Sequence, residues 1–331
     1  MRRFFWLLLL LLMVAPEHTS AAVSKLNGFS LGAGAGNLAK IDGLTVGNAA
    51  GNYDYWNSIA VPLGIQAETA AQITRITNDG GTIVSVAAMD AAIYHAKVNN
   101  YYSDIVFLGS PAFAVKLESG TVVNSTVKMY DMGPTNHDSL GSASSPHNRS
   151  VWLANQQNGL PMLQFARSPW VQWLDFGNNW ISQWNTQTWV IIFSKGTVSG
   201  ASSVFNASDS GGDVQMGLMF DPSQGLWFAD TQSSDNFTLS TYAALPSPVF
   251  LISVLDANRV ERHYINGGSV INHTGQAAYS NAWGQVYLGL AQNNVKPWDG
   301  KVGLVLVTKT AMSDTIRNAV RVYYNGIWAI F

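Results

Sequence analysis

Carboxylates, histidines and tryptophans are the residues in this chain that could do chemistry, and their spacing limits what that chemistry is. Hydrolysis of a glycosidic bond needs two carboxylates flanking the scissile bond. Past residue 22 the only glutamates are Glu68, Glu118 and Glu261, and no E-x-D-x-x-E stretch sets acids along one strand face. Asp221 stands in the stretch Met219-Phe220-Asp221-Pro222-Ser223-Gln224-Gly225. The plainer reading is that Asp221-Pro222 opens a turn between strands. Asp209, Asp213 and Asp299 stand in stretches rich in Gly, Asn and Ser, where carboxylate and carbonyl oxygens could hold calcium. His95, His137, His147, His263 and His273 lack the close spacing of zinc ligands, and His137-Asp138 reads as loop polarity facing solvent. The chain has no cysteine, which removes thiol nucleophiles and thiolate metal sites. Calcium is the one cofactor left to consider.

Sugar binding asks for aromatic faces beside amides and carboxylates. Trp170, Trp173, Trp180, Trp184 and Trp189 crowd one region together with Asn178, Asn179, Gln183 and Asn185. Most of these tryptophans are expected to belong to the core. Trp180, Trp184 and Asn179 are nevertheless the candidates there, and Trp298 beside Asp299 is expected to be the better exposed ring. N-x-S/T sequons occur at Asn124, Asn148, Asn206, Asn236 and Asn272, about as often as the Asn, Ser and Thr content yields by chance.

The elements that must position these groups belong to a chain of 331 residues, long enough for one large domain with a smaller companion. Only 11% of residues are charged, against roughly 25% in an average soluble protein. A formal net charge of -2 excludes a nucleic-acid footprint, which needs a clustered basic excess. Arg2 and Arg3, the apolar run Phe4 to Val14 and the small residues Ser20-Ala21-Ala22 form a secretory leader over residues 1–22. That run is shorter than the ~20 residues of a spanning helix, and no later stretch is long and apolar enough to span a membrane. Residues 23–66 are rich in Gly, Ala and Asn and read as a loose segment. A sharper expectation is an arm that adds a strand to a neighbour and drives self-assembly, anchored by Tyr53, Tyr55 and Trp56.

Residues 67–115 change character. Ala67 to Asn78 reads as a helix with Ala71, Ile73 and Ile76 on its apolar side, stopped by Gly80-Gly81. Ser85 caps a second helix whose face is Ala88, Ala91, Ala92, Tyr94 and Val98. Strand candidates then follow at close spacing: Trp189 to Phe193, Val214 to Phe220, Leu226 to Ala229, Val249 to Leu255, Val260 to Ile265 and Val286 to Leu290. Asn266-Gly267 tolerates the positive φ of a tight hairpin. From Lys301 to Thr308 both strand faces are apolar, so the strand should be buried. Ser313 then caps a helix bearing the stripe Ile316, Val320 and Tyr323.

The stretch with Met129-Tyr130-Asp131, Asn136-His137-Asp138, Asn158-Gly159-Leu160-Pro161 and Leu163-Gln164-Phe165, with Tyr264-Ile265-Asn266-Gly267 and the capped helix ending in Tyr323-Tyr324-Asn325, resembles the concanavalin A-like (laminin G-like) β-sandwich domains of secreted bacterial and phage proteins. The resemblance covers residues 125–331. It implies a jelly-roll sandwich, glycan binding and, in many relatives, calcium. A weaker resemblance joins the same motifs to the catalytic sandwich of B-type α-L-arabinofuranosidases, in which Asp221 would stand where that family has a glutamate; an aspartate's shorter arm misplaces the oxygen.

These features together predict a secreted, mainly β protein in which a concanavalin A-like jelly-roll β-sandwich over 116–331 follows a small α-helical hairpin. The expected function is non-catalytic binding of extracellular glycans or polysaccharide. A structural subunit of an extracellular filament or surface assembly is the alternative, and a glycoside hydrolase the third.

Overall fold

The computed structural model describes residues 25–26, 29–30, 40–41, 44–45 and 64–331, except 119–123, 144, 170, 178–185, 197–201, 210–213, 222–224, 231–236, 240–246, 259, 269, 274–282 and 291–296. Residues Met1–Ile65 form a unit of their own, where backbone pairs β1 (Lys25–Leu26) with β2 (Phe29–Ser30) and β3 (Lys40–Ile41) with β4 (Leu44–Thr45). The leader and the aromatic anchors Tyr53, Tyr55 and Trp56 lie outside the described residues.

The second unit, Gln66–Phe331, opens with α1 (Ala67–Asn78), β5 (Thr82–Ile83) and α2 (Val86–Val98). The chain continues through β6 (Ile105–Gly109), β7 (Ala114–Leu117), β8 (Thr126–Met129), β9 (Ser139–Gly141), β10 (Val151–Gln157), β11 (Leu160–Phe165) and β12 (Leu174–Asp175). Next come β13 (Gln187–Lys195), β14 (Ser202–Asp209), β15 (Val214–Asp221), β16 (Gly225–Asp230), β17 (Phe237–Leu239) and β18 (Val249–Leu255). It ends with β19 (Glu261–Ile265), β20 (Val270–His273), β21 (Trp283–Leu288), β22 (Gly300–Thr308) and α3 (Asp314–Trp328).

The protein is mainly β. One antiparallel sheet of eight strands runs β10-β11-β22-β13-β18-β19-β20, with β6 also paired to β22. The other, of ten, runs β17-β16-β15-β14-β21-β12-β9-β8-β7-β5. Their inner faces meet. Trp189 of the eight-stranded sheet lies 4.0 Å from Phe205 of the ten-stranded one, and Phe107 packs edge-on to Phe176 at 4.7 Å. Leu163, Phe193, Leu251 and Val305 face Met129, Leu174, Val286 and Leu288 in the same core. Burying two such faces against each other is what drives a two-layer sandwich.

The eight-stranded sheet is also covered from outside. Phe250, Ile252, Leu304 and Leu306 alternate with core residues yet are buried, as strands apolar on both faces require. Helix α3 lies there: Gly303 leaves room for the Trp328 ring, with which a Cβ would collide, and Phe250 stacks with Phe331 at 6.2 Å. Val320, Tyr323, Tyr324, Ile327 and Trp328 form the buried side of α3, and the Ser313 hydroxyl accepts from the Ile316 N–H at 3.3 Å.

Helix α2 joins α3 through His95. Its ring stacks on Tyr323 at 4.1 Å, and its Nδ1 lies 2.9 Å from the Tyr101 hydroxyl. Burial holds this imidazole down at about 4. The helical hairpin thus belongs to the sandwich's own unit: β5, between its helices, pairs with β7 of the ten-stranded sheet, and β6 pairs directly with β22.

The helix faces differ from expectation in detail. Helix α1 buries Thr69, Gln72 and Ile76 and leaves Ala71 exposed; α2 buries Met89, Ile93 and His95 and exposes Val98. Polar residues replace apolar ones on α1 because it packs on a hydrogen-bonding loop. Gln72 Nε2 donates to Asn136 Oδ1 at 2.8 Å, and Arg75 Nη2 to the Asp131 carbonyl at 2.7 Å. Among the described residues no helix is long and apolar enough to cross a membrane.

Candidate functional site: a polar row on the outer face of the ten-stranded sheet

The outer face of the ten-stranded sheet differs in kind from its helix-covered counterpart. Strand register carries one line of residues across it: Lys116, Lys128, Leu140, Asp175, Tyr287, Asn206 and Gly217, each the cross-strand partner of the next. Pleating puts their neighbours Met129, Leu174, Phe176, Val286 and Leu288 into the core, so the row points the other way. Leu140 is 49% exposed, and Asp175 and Tyr287 are half-buried.

Helix α1 closes the lysine end. Lys116 and Lys128 face each other across β7 and β8, a destabilising placement for like charges unless a counter-charge sits between them. Asp79, the C-cap of α1, supplies it: Oδ1 is 3.2 Å from Lys116 Nζ and Oδ2 is 2.9 Å from Lys128 Nζ. The Tyr130 hydroxyl donates to the same Oδ2 at 2.7 Å. Lys128 first, then Tyr130, hold the Asp79 carboxyl well below the usual carboxylate range.

Behind this lies Asp138, 2.6 Å from Arg75 Nη1 and 3.5 Å from Lys128. Of the loop expected to face solvent at His137-Asp138, His137 is exposed as expected, whereas Asp138 is an ion-pair hub under α1. Asp131 is wholly buried beside it, accepting from the N–H groups of Leu108, Gly133 and His137 and from the Thr135 hydroxyl. Burial still pushes its carboxyl up to about 6. This network fixes the position of α1 and has no approach from solvent to the buried carboxylate.

The centre of the row is different. Asp175 Oδ1 accepts from the Gly177 N–H at 2.7 Å, and the carboxyl is raised by desolvation. Tyr287 is raised first by burial and then by the neighbouring Asp175 charge. Asn206, next along, is 0% exposed, and neither its Oδ1 nor its Nδ2 has a hydrogen-bond partner. Leaving a buried polar group unmet costs about 1–3 kcal/mol, so such a group in a folded protein asks for an explanation. A carboxylate and a phenol on adjacent strands can accept from and donate to hydroxyl groups, while the tyrosine ring offers an apolar face and the enclosed Asn206 amide lies beside them.

The expected site residues fall elsewhere. Trp298 is not an exposed ring: it is 0% exposed and meets Phe193 edge-on at 5.8 Å. The Trp298 backbone N–H donates to the Gly289 carbonyl at 2.8 Å, and the indole lies in the core. Asp299 stays half-buried at that end, raised by desolvation against the nearby Arg167 charge. Asp209 does not stand in a loop; it ends β14 opposite Trp283. Asp213, Trp180, Trp184 and Asn179 lie outside the described residues. Among the described residues no three acids or histidines converge as a metal site.

Asp221 closes β15 opposite Gly225, the hairpin position that its turn reading requires. Of the sequons, Asn124 is exposed in a turn at φ 61° and Asn148 is half-buried in a short 3-10 turn, while Asn272 pairs with Arg262 in β20. Asn206 is corrected as an acceptor, because its amide is enclosed; Asn236 lies outside the described residues.

No protein-family model and no curated protein sequence matches the chain. Solved structures similar to it include the K499G mutant of NanB sialidase from Streptococcus pneumoniae, at 15% identity and TM-score 0.40, covering 46% of this chain and 26% of that one. Trypanosoma rangeli sialidase in complex with sialic acid aligns at 12% identity and TM-score 0.44, covering 72% of this chain and 39% of that one. The Ruminococcus gnavus IT-sialidase CBM40 bound to α2,3 sialyllactose aligns at 16% identity and TM-score 0.36, covering 41% of this chain and 83% of that one. The chain thus spans about a quarter of the NanB chain and two-fifths of the T. rangeli chain.

Proposed function

We propose that this is a secreted, non-catalytic carbohydrate-binding protein with a concanavalin A-like, laminin G-like sandwich, and that it takes a glycan on the outer face of its ten-stranded sheet. The observation that carries this reading is the alignment of Asp175, Tyr287 and Asn206 on β12, β21 and β14, on the face turned away from the core. Asp175 and Tyr287 offer the directly reachable surface, with the enclosed Asn206 amide beside them. A glycosidase would need a second carboxylate across the bond, and Asp175 is the one acid in the row. The test is a glycan microarray on the folded protein, with and without EDTA, repeated with Tyr287→Ala. Specific hits that vanish with the ring support the reading; loss in EDTA would add calcium as a cofactor. A folded protein that binds no glycan would overturn it.

A further inference from the structure

Resting on that site assignment, we infer that the row selects neutral, hydroxyl-rich sugars and rejects acidic ones such as uronates and sialic acids. An acidic sugar needs a cation to meet its carboxylate, best a guanidinium fork. The cations that share the row are Lys116 and Lys128, and both are committed to Asp79, with Lys128 also shared by Asp138. They sit at the far end, separated from Asp175 by the aliphatic Leu140. Of the other described cations, Arg75 pairs with Asp138, Arg149 with Glu118 and Arg262 with Asp256, and the Arg167 charge lies near Asp299. Among the described residues no ion pair includes Asp175.

The group that greets a ligand is therefore a carboxylate. Its Oδ1 already accepts from Gly177, which fixes the side chain and leaves Oδ2 to accept from a sugar hydroxyl. Tyr287 beside it adds a second hydroxyl partner and a ring on which the C–H face of a pyranose or furanose can lie. A ligand carboxylate at this position would meet like charge in a partly desolvated place, where repulsion excludes wrong partners strongly. Asp175 is thus a specificity-determining residue as well as a contact.

Calorimetric titration of the whole chain against matched probes tests this. Lactose is compared with sialyllactose, and cello-, xylo- and arabino-tetraose with tetragalacturonic acid. Any neutral probe that binds should do so about a hundredfold more tightly than its acidic counterpart. Tyr287→Ala should abolish the binding while circular dichroism stays native. Asp175→Asn should weaken neutral binding yet narrow the neutral-to-acidic gap at least about tenfold, a change that a purely structural role would not produce. Acidic probes binding as tightly as neutral ones, and lost in Tyr287→Ala, would overturn the neutral selection while leaving the site in place. Binding of either kind that Tyr287→Ala leaves untouched would overturn the site itself.

Discussion

Asn206 offers the sharpest test, because replacing its enclosed amide should raise stability. Leucine has the same number of side-chain heavy atoms and the same branch point, so Asn206→Leu removes the polar atoms with little change of outline. Both amide atoms are enclosed without a hydrogen-bond partner, and each unmet group costs about 1–3 kcal/mol. The tetrahedral leucine is bulkier than the planar amide, and overpacking can return about 1–3 kcal/mol of that gain. Gly217 stands opposite Asn206 on β15 and brings no side chain, which favours the lower end of that penalty. A net stabilisation of about 2 kcal/mol follows, or a rise in Tm of roughly 4–8 °C for a unit of this size. Thermal and urea unfolding read the effect. A lower Tm would refute the reasoning, since it would mean that the amide is satisfied, for instance by buried water, and is a structural group.

Other predictions concern the helices and the buried charges. His95→Phe and Asp131→Asn should change acid stability in opposite directions. His95 is held at about 4, so its contribution is present above pH 6.5 and about 3 kcal/mol is lost as pH falls towards 4. Asp131 is raised to about 6, so its ionisation cost operates above that pH and is relieved by about 3 kcal/mol as pH falls from 6 towards 4. In urea midpoints at pH 7 and pH 4, His95→Phe should therefore be acid-stabilised relative to wild type and Asp131→Asn acid-destabilised; parallel curves would refute both. Gly303→Ala should cost about 1–3 kcal/mol through the collision with Trp328, seen as a lower urea midpoint. Ser313→Ala should cost about 1 kcal/mol by removing the cap of α3.

Much of the scaffold could be read from local chemistry. Helix α1 spans the expected residues and is followed by Gly80-Gly81, and the Ser85 hydroxyl accepts from the Ala88 N–H at 3.1 Å as a cap should. Asn266 and Gly267 both take positive φ in the β19–β20 turn, and Val249–Leu255 is a strand at the expected bounds. What escaped was set by contacts distant in sequence. Strand β14, Ser-Ser-Val-Phe-Asn-Ala-Ser-Asp, has no clean alternation and so looked like a loop. Trp298 sits in a polar stretch, and nothing local tells that its ring is buried in the core. The candidate site was invisible for the same reason: β12 lies between β9 and β21, so Leu140, Asp175, Tyr287 and Asn206 become neighbours only through a strand order that runs out of sequence.

The place of β22 bears on how the chain reaches this state. Both β6 and β11 lie along one edge of it, at opposite ends, and β13 lies along the other. Three strands from the earlier two-thirds of the unit therefore wait on residues 300–308 for their hydrogen-bond partners. Until those residues emerge, β6 and β13 present unpaired apolar edges, the kind of surface that templates aggregation. Completion must come late and be concerted. Folding should thus be slow for the size of the unit, governed by the long-range closure around β22. Such a delay would keep the polypeptide without a complete sheet until its final strand can be laid into place.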